Sequence, residues 1–230
     1  MNLLAIIPAR KGSRGIPDKN IKIVGRKPLI NWTIECALAS PSVDRVLVTT
    51  DSKIIANVAV EAGAEVPFMR PAELARNDTP GIDPILHAVK WVRDNEGLTP
   101  RYVVVLQPTS PLRTPDDIEA ALALAVRKDG NAVVSVVSTE RHPYWMKTLE
   151  PDGKMTNFIS GKEIPFRRQD LPDVYSLNGA IYLARTEFLL REGGWYSDET
   201  YGYVMPMERS LDVDSPWDLD VADMALSGAS

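Results

Sequence analysis

Short aliphatic runs alternate along the whole chain with longer segments whose apolar residues recur at the helical period, and this alternation constrains the fold more than any other feature. Strands are expected at Leu3–Pro8, Arg45–Thr50, Val66–Met69, Tyr102–Gln107, Ala132–Val137, Ala180–Ala184 and Tyr203–Met207. Helices are expected at Pro28–Ala39, Lys53–Ala62, Pro84–Asp94, Pro115–Lys128, Thr186–Arg191 and Pro216–Leu226. The runs Val103–Leu106 and Val133–Val137 are almost continuously aliphatic. A strand apolar on both faces must be covered on both faces, as in a parallel sheet between two helical layers. The expectation is therefore a doubly wound, mostly parallel α/β sheet, a single domain over residues 1–230. Asp83-Pro84, Thr114-Pro115 and Ser215-Pro216 each set a capping residue before a proline at the first helical position. Asp117 and Asp218, three residues after Thr114 and Ser215, complete approximate capping boxes.

One stretch departs from the alternation. From Glu140 to Pro172 the chain is richer in proline, glycine and charge, with two short strand-like runs, Lys147–Glu150 and Lys154–Phe158, around a turn at Asp152-Gly153. It reads as a small excursion from the main sheet. Its aromatic residues Tyr144, Trp145, Phe158 and Phe166 suggest a surface for a second copy of the chain, hence a homodimer.

Composition excludes several classes. With 44% hydrophobic and 25% charged residues the chain is an ordinary globular one. No apolar run approaches the roughly 20 residues needed to cross a bilayer, and no signal-peptide pattern opens the chain. A cytoplasmic protein without a membrane partner is expected. Cys36 is the single cysteine, so no intrachain disulfide is possible, and its apolar helical setting marks a core thiol. His87 and His142 are too few for a Cys/His zinc site. A net charge of -5 without a basic stripe argues against nucleic acid.

Against that acidic background the first strand runs straight into a basic loop, Pro8-Ala9-Arg10-Lys11-Gly12-Ser13-Arg14-Gly15-Ile16-Pro17-Asp18-Lys19-Asn20. A glycine-bearing loop can fold its N–H groups around phosphate oxygens, and Arg10, Lys11, Arg14 and Lys19 can neutralise the charge so held. It is not a Walker loop, because no Gly-Lys-Ser or Gly-Lys-Thr follows, and it has no G-x-G-x-x-G fingerprint. In open α/β sheets ligands bind beyond the carboxyl ends of the strands. The other expected strand ends are also polar: Thr49-Thr50-Asp51-Ser52, Gln107-Pro108-Thr109-Ser110, and Asp212-Val213-Asp214. In extended chain Asp212 and Asp214 share a side. Two carboxylates on one side suit a hard cation such as Mg2+, with phosphate oxygens completing its shell. Taken alone, the pair also fits a turn into the Ser215-Pro216 helix, and Asp218 is read as serving that helix start.

The basic loop resembles the opening of the acylneuraminate cytidylyltransferases, which make CMP-activated sialic acids and related sugars. Further likenesses follow in order: Arg70-Pro71-Ala72-Glu73-Leu74-Ala75 with Asp78-Thr79, Leu106-Gln107-Pro108-Thr109-Ser110-Pro111-Leu112-Arg113, Arg168-Gln169-Asp170-Leu171-Pro172, Asn178-Gly179-Ala180-Ile181-Tyr182, and Asp212-Val213-Asp214-Ser215-Pro216 with Asp218. They extend from residue 6 to residue 219. The resemblance implies a nucleotide-diphospho-sugar transferase-like fold, dimerisation through the excursion, and transfer of CMP from CTP to an α-keto acid sugar. It implies a nucleotide site of Arg10, Lys11, Gly12, Ser13, Arg14, Gly15, Lys19, Asn20, Arg70, Asp78 and Thr79. It implies a sugar site of Gln107, Arg168, Gln169, Tyr175, Asn178 and Gly179, with Arg168 on the sugar carboxylate. Arg10, Lys19, Asp212 and Asp214 are expected to carry catalysis, the last two through Mg2+. Ser176 stands where many sialic-acid members have arginine, which leaves legionaminic-type sugars as plausible as sialic acid. The alternatives are a Kdo-type or other sugar nucleotidyltransferase, or a non-catalytic nucleotide-binding module.

Overall fold

The computed structural model describes residues 1–12, 15–139, 141–159 and 167–228. Ser13, Arg14 and Phe166 of the expected sites lie outside the described residues. In chain order the elements are β1 (Leu3–Pro8), β2 (Ile23–Val24), β3 (Lys27–Pro28), α1 (Leu29–Leu38), β4 (Arg45–Thr49), α2 (Lys53–Glu61), α3 (Asp83–Glu96), β5 (Tyr102–Leu106), α4 (Pro115–Lys128) and β6 (Ala132–Ser138). They continue with β7 (Lys147–Leu149), β8 (Met155–Asn157), β9 (Tyr175–Arg185), α5 (Thr186–Glu192), β10 (Thr200–Val204) and α6 (Pro216–Ser227).

The central sheet has six strands in the order β10-β6-β9-β5-β1-β4. All neighbours are parallel except β9, which runs antiparallel to both β5 and β6. The mostly parallel, doubly wound architecture is thus the one expected. Successive β1 side chains go to opposite faces, as strand geometry requires. Leu3, Ala5 and Ile7 join one core with α1, α2 and α4. Leu4 and Ile6 join a second core with α3 and α5. A smaller cluster of Ile16, Val24, Leu29, Val213 and Ala222 joins the end of the basic loop to the Asp212–Asp214 segment and α6.

The Thr114 and Ser215 capping boxes form as read. Asp83 does not cap: α3 starts at Asp83 itself, because Ile82 is already helical and the Asp83 amide bonds Pro80 O. Val66–Met69 is not a strand. Only Glu65 bridges to Leu47, and Pro67 has no N–H with which to extend the ladder. The expected strand at Tyr203–Met207 lies earlier, at Thr200–Val204, ahead of Pro206. In the excursion β7 and β8 pair only with each other. Cys36 is buried in α1.

Strand β9 is the element that shapes the cleft. Being antiparallel, it begins at this edge rather than ending there: from Tyr175, paired with Ser138 at the end of β6, it overhangs the end of β5, whose last pair is Leu106 with Ile181. Its pairing with β6 shifts register between Val134 and Val136, where one residue of β6 faces a bulge around Asn178–Ala180. Ser135 fills the bulge: its hydroxyl donates to Asn178 Oδ1 (2.6 Å) and accepts from the Ile181 amide (2.8 Å). Gly179, at φ +73°, makes the turn that a side chain would resist.

Candidate active site

A cleft of about 630 Å³ opens beyond the carboxyl ends of β1 and β5. Pro8, Arg10, Arg70, Asn77, Thr79 and Gln107 form its polar wall, and Tyr182, Trp195 and Tyr196 an aromatic one. Two arginines reach it from separate loops. Arg10 Nη1 donates to Asn77 Oδ1 (2.8 Å) and Ala75 O (3.2 Å). Arg70 is buried, with Nε on Thr49 Oγ1 (3.2 Å) and Nη2 on Thr49 O. Burial pushes the Arg70 guanidinium down to about 10, Asp51 opposes that shift, and Arg10 adds to it. Two cations that repel each other at the edge of a cleft form a field suited to a polyanion.

The loop after β1 is fastened at several points. The Lys11 amide donates to Asp51 Oδ1 (2.8 Å), and the buried Asn20 donates from Nδ2 to Arg10 O (3.2 Å). Gly12 is left-handed, at φ +80°. Gly15 lies so close to the last aspartate that a Cβ there would stand 2.5 Å from Asp214 O. Lys19 Nζ donates to Val213 O (2.7 Å) and to Asp214 Oδ1 (2.9 Å). The loop and the Asp212–Asp214 segment are therefore in direct contact.

The two aspartates occupy different environments. The Asp214 side chain is 75% exposed and faces Lys19. Asp212 is largely enclosed, and its Oδ1 is buried without a hydrogen-bond partner. Burial pushes the Asp212 carboxyl up, a Thr109 hydrogen bond opposes the shift, and Asp214 adds to it. An unpartnered carboxylate oxygen with a second carboxylate nearby fits a cation ligand. Among the described residues no cluster of three or more metal-type side chains occurs, so phosphate or water oxygens would supply the rest of a shell. Asp218 serves the helix start: its Oδ2 accepts from the Asp214 amide (3.0 Å), the Ser215 amide (2.7 Å) and the Ser215 hydroxyl (2.8 Å).

The segment carrying these aspartates has no regular structure, and side chains brace it. The Val213 amide bonds Thr109 O (2.8 Å). Asp117, fully buried, accepts from Arg209 Nε (2.9 Å), Arg209 Nη2 (2.8 Å) and the Tyr203 hydroxyl (2.9 Å). Burial alone would raise the Asp117 carboxyl, but Arg209, Thr114 and Tyr203 together hold it below the ordinary carboxylate range.

Of the expected sugar contacts, Gln107 lines the cleft, and Gly179 lies beside it. A Cβ on Gly179 would stand 3.5 Å from Asp212 Oδ2 and 3.9 Å from Gln107 Cδ. Asn178 is a correction. Its Oδ1 accepts from Ser135 and Ala180 and its Nδ2 reaches Ser210 Oγ and Met205 Sδ, so the amide has no capacity left for a ligand. Tyr175 is exposed at the start of β9, Gln169 is exposed in a 3-10 turn at Arg168–Asp170, and neither Gln169 nor Tyr175 is part of the cleft wall. Thr79 donates to Glu73 O (2.8 Å), and Asp78 lines a shallow depression next to the cleft. Asn77 and the aromatic wall were not anticipated. The one available signal was Gly193-Gly194-Trp195-Tyr196, an aromatic pair after a glycine pair, which resembles many ordinary loops.

A basic loop and paired aspartates thus meet at the strand ends of a mostly parallel sheet. The chain belongs to the cytidylyltransferase family, whose model matches residues 4–222. It is 37% identical over 217 residues to an N-acylneuraminate cytidylyltransferase of Streptococcus agalactiae, covering 94% of this chain and 51% of that protein. The chain thus spans about half the length of the streptococcal relative. It is 34% identical over 219 residues to a CMP-N,N'-diacetyllegionaminic acid synthase of Legionella pneumophila, covering 95% of this chain and 93% of that one. Among solved structures, CMP:2-keto-3-deoxy-manno-octonic acid synthetase complexed with CTP superposes over 100% of both chains, with a TM-score of 0.75 and 16% identity. That likeness concerns the fold.

Proposed function

We propose that this chain transfers CMP from CTP to the anomeric hydroxyl of a nonulosonic acid of sialic or legionaminic type. The observation that carries the reading is the direct contact between the basic loop and the Asp212–Asp214 segment, made by Gly15 and Lys19. The anomeric hydroxyl gives up its proton to solvent as its oxygen bonds the α-phosphorus, the bond from that phosphorus to the β-phosphate bridge breaks, and pyrophosphate departs with the electron pair. Positioning and charge neutralisation dominate such chemistry. Arg10 and Arg70 hold the triphosphate side, with Lys11, Gly12, Asn20, Asp78 and Thr79 around it. Gln107 and the backbone at Gly179 meet the sugar, and Arg168 and Gln169 are assigned to its carboxylate side. Asp212 and Asp214 hold Mg2+, which when bound supplies positive charge to the departing pyrophosphate. Lys19 holds Asp214 facing the loop.

The homodimer belongs to the same reading. Trp145, Met146, Leu149, Met155 and Phe158 are all exposed on or beside the β7–β8 hairpin, a density of apolar surface suited to a second copy. Among the described residues no helix is long and apolar enough to cross a membrane. A reducing cytoplasmic setting suits the buried single thiol.

Pyrophosphate release with CTP, Mg2+ and a panel of α-keto acid sugars tests the assignment. Turnover is expected with nine-carbon acids. Kdo as a far better acceptor would move the chain to the eight-carbon class. CTP binding without turnover on any acceptor would make it a binding module.

A further inference from the structure

Arg113 is a buried cation that the chemistry described so far does not use. It is 4% exposed, and its guanidinium ends among backbone oxygens. Nη1 donates to Ala180 O (2.7 Å) and Gln107 O (3.4 Å), and Nη2 donates to Thr33 Oγ1 (2.9 Å). The Thr33 hydroxyl in turn donates to Gln107 O (3.3 Å). The carboxylate whose charge acts on it, Asp117, is committed to Arg209, Tyr203 and Thr114. A cation so placed loses its hydration without a carboxylate partner in hydrogen-bond contact, which is costly unless it does something a leucine could not.

The β5–β9 ladder shows what it does. The last paired residues are Leu106 and Ile181. Continuing that antiparallel register, the next rung would pair Gln107 with Ala180, and there the ladder stops. The two carbonyls that would have closed the rung both accept from Arg113 Nη1. The guanidinium therefore stands in for the missing rung while the strands separate. The separation starts where Gln107 turns into the cleft and where Gly179 brings its backbone toward Asp212.

We propose that Arg113 is a positioning residue that props β5 and β9 apart and so sets the spacing of Gln107, Gly179 and Asp212 on the acceptor side of the cleft. This rests on the cytidylyltransferase reading for its kinetic consequence, though not for its structural one. Arg10 and Arg70 lie on the β1–β4 side and have no bond to this clamp. Its loss should therefore fall on the acceptor and leave CTP alone.

The test uses Arg113→Lys, Arg113→Met and the milder Thr33→Val, which removes one arm of the clamp without stranding a charge. Each is assayed for kcat, for KM of the acceptor and of CTP, and for backbone hydrogen exchange without ligands. A lysine keeps the charge but cannot span three acceptors with a planar fork. For Arg113→Lys the acceptor kcat/KM should fall by about 100-fold, the scale of a displacement near 1 Å. For Thr33→Val the fall should be about tenfold, in keeping with one lost hydrogen bond to a charged group. In both, KM for CTP should stay within about threefold, a change of well under 1 kcal/mol. Exchange should quicken at Gly179–Ile181 and not along β1 or β4. Equal losses toward CTP and acceptor, or a lowered Tm with unchanged kinetic constants in the folded protein, would overturn the proposal. If Arg113→Met does not fold, Thr33→Val decides. A wild type that binds CTP and transfers nothing would refute the functional reading instead, and the local exchange pattern would then decide the clamp.

Discussion

Beside β1 the cleft is lined by the loop that immediately follows the strand and by the long connection from α2 to α3, whereas along β5 and β9 it is lined by residues whose placement depends on a strand running the wrong way. Parallel strands deliver all their carboxyl ends to one edge, so the loop after β1 and the connection between α2 and α3 reach the proposed nucleotide side without further provision. Strand β9 crosses that edge in mid-course. The opening there is made by a bulge, filled by Ser135, and by a separated pair of strands whose end carbonyls both accept from Arg113. On the proposed reading, the nucleotide half can change without disturbing the sheet, while the acceptor half is part of the sheet's own stability. Substitutions in the first half should alter kinetics alone. Substitutions in the second should alter stability as well.

Asp214→Asn should give the largest effect, a loss of about 100-fold or more in kcat, as for deletion of one strong electrostatic stabiliser. Its side chain is mostly exposed, so Tm should hardly move. Measuring kcat and Tm on one preparation checks this, and a normal kcat with a lowered Tm would make the residue a simple turn former. Next, Arg10→Ala should weaken CTP binding by about 10- to 100-fold, the range for a lost charge-assisted bond, seen by calorimetric titration. An unchanged CTP affinity would remove Arg10 from the nucleotide half.

On the other side, Asp117→Asn should cost about 2 kcal/mol in urea denaturation, after discounting the partly exposed Arg209. Because the fold holds this carboxyl below its ordinary range, its contribution is complete above the unfolded value near 3.9. It disappears as pH falls through the folded value. The variant should therefore lose stability less steeply than the wild type on acidification, and parallel acid limbs would contradict the assignment. The smallest effect is expected for Ser135→Ala, which leaves the Asn178 amide and the Ile181 N–H short of a partner. About 1 kcal/mol should be lost, with a higher KM for the acceptor. A change in CTP affinity alone would erase the distinction between the two halves.

The sequence displayed these halves unequally. The basic loop, the strand ends and both capping boxes could be read because each is a contiguous run whose neighbours dictate its conformation. Aliphatic runs announced the covered sheet, since a two-sided strand has few other places to go. Strand direction was not legible. Ala180–Ala184 reads the same in either sense, and nothing local marks β9 as the reversed strand or extends it back to Tyr175. Asn178 looked like a ligand contact because its role is set by Ser135, 43 residues earlier, and by Ser210, 32 residues later. Val66–Met69 had the composition of a strand, but the sheet edge at β4 holds only Glu65.

Lys19 and Asp214 are 195 residues apart in the chain and joined in the fold. During synthesis the basic loop leaves the ribosome long before the carboxylates that complete it. Until residue 214 emerges, the loop has its cations and glycines but nothing to rest against. A nucleotide met at that stage cannot be activated, and its binding cannot favour a half-made sheet. Competence therefore arrives in one step once residue 214 has emerged, rather than growing with the length of the nascent chain.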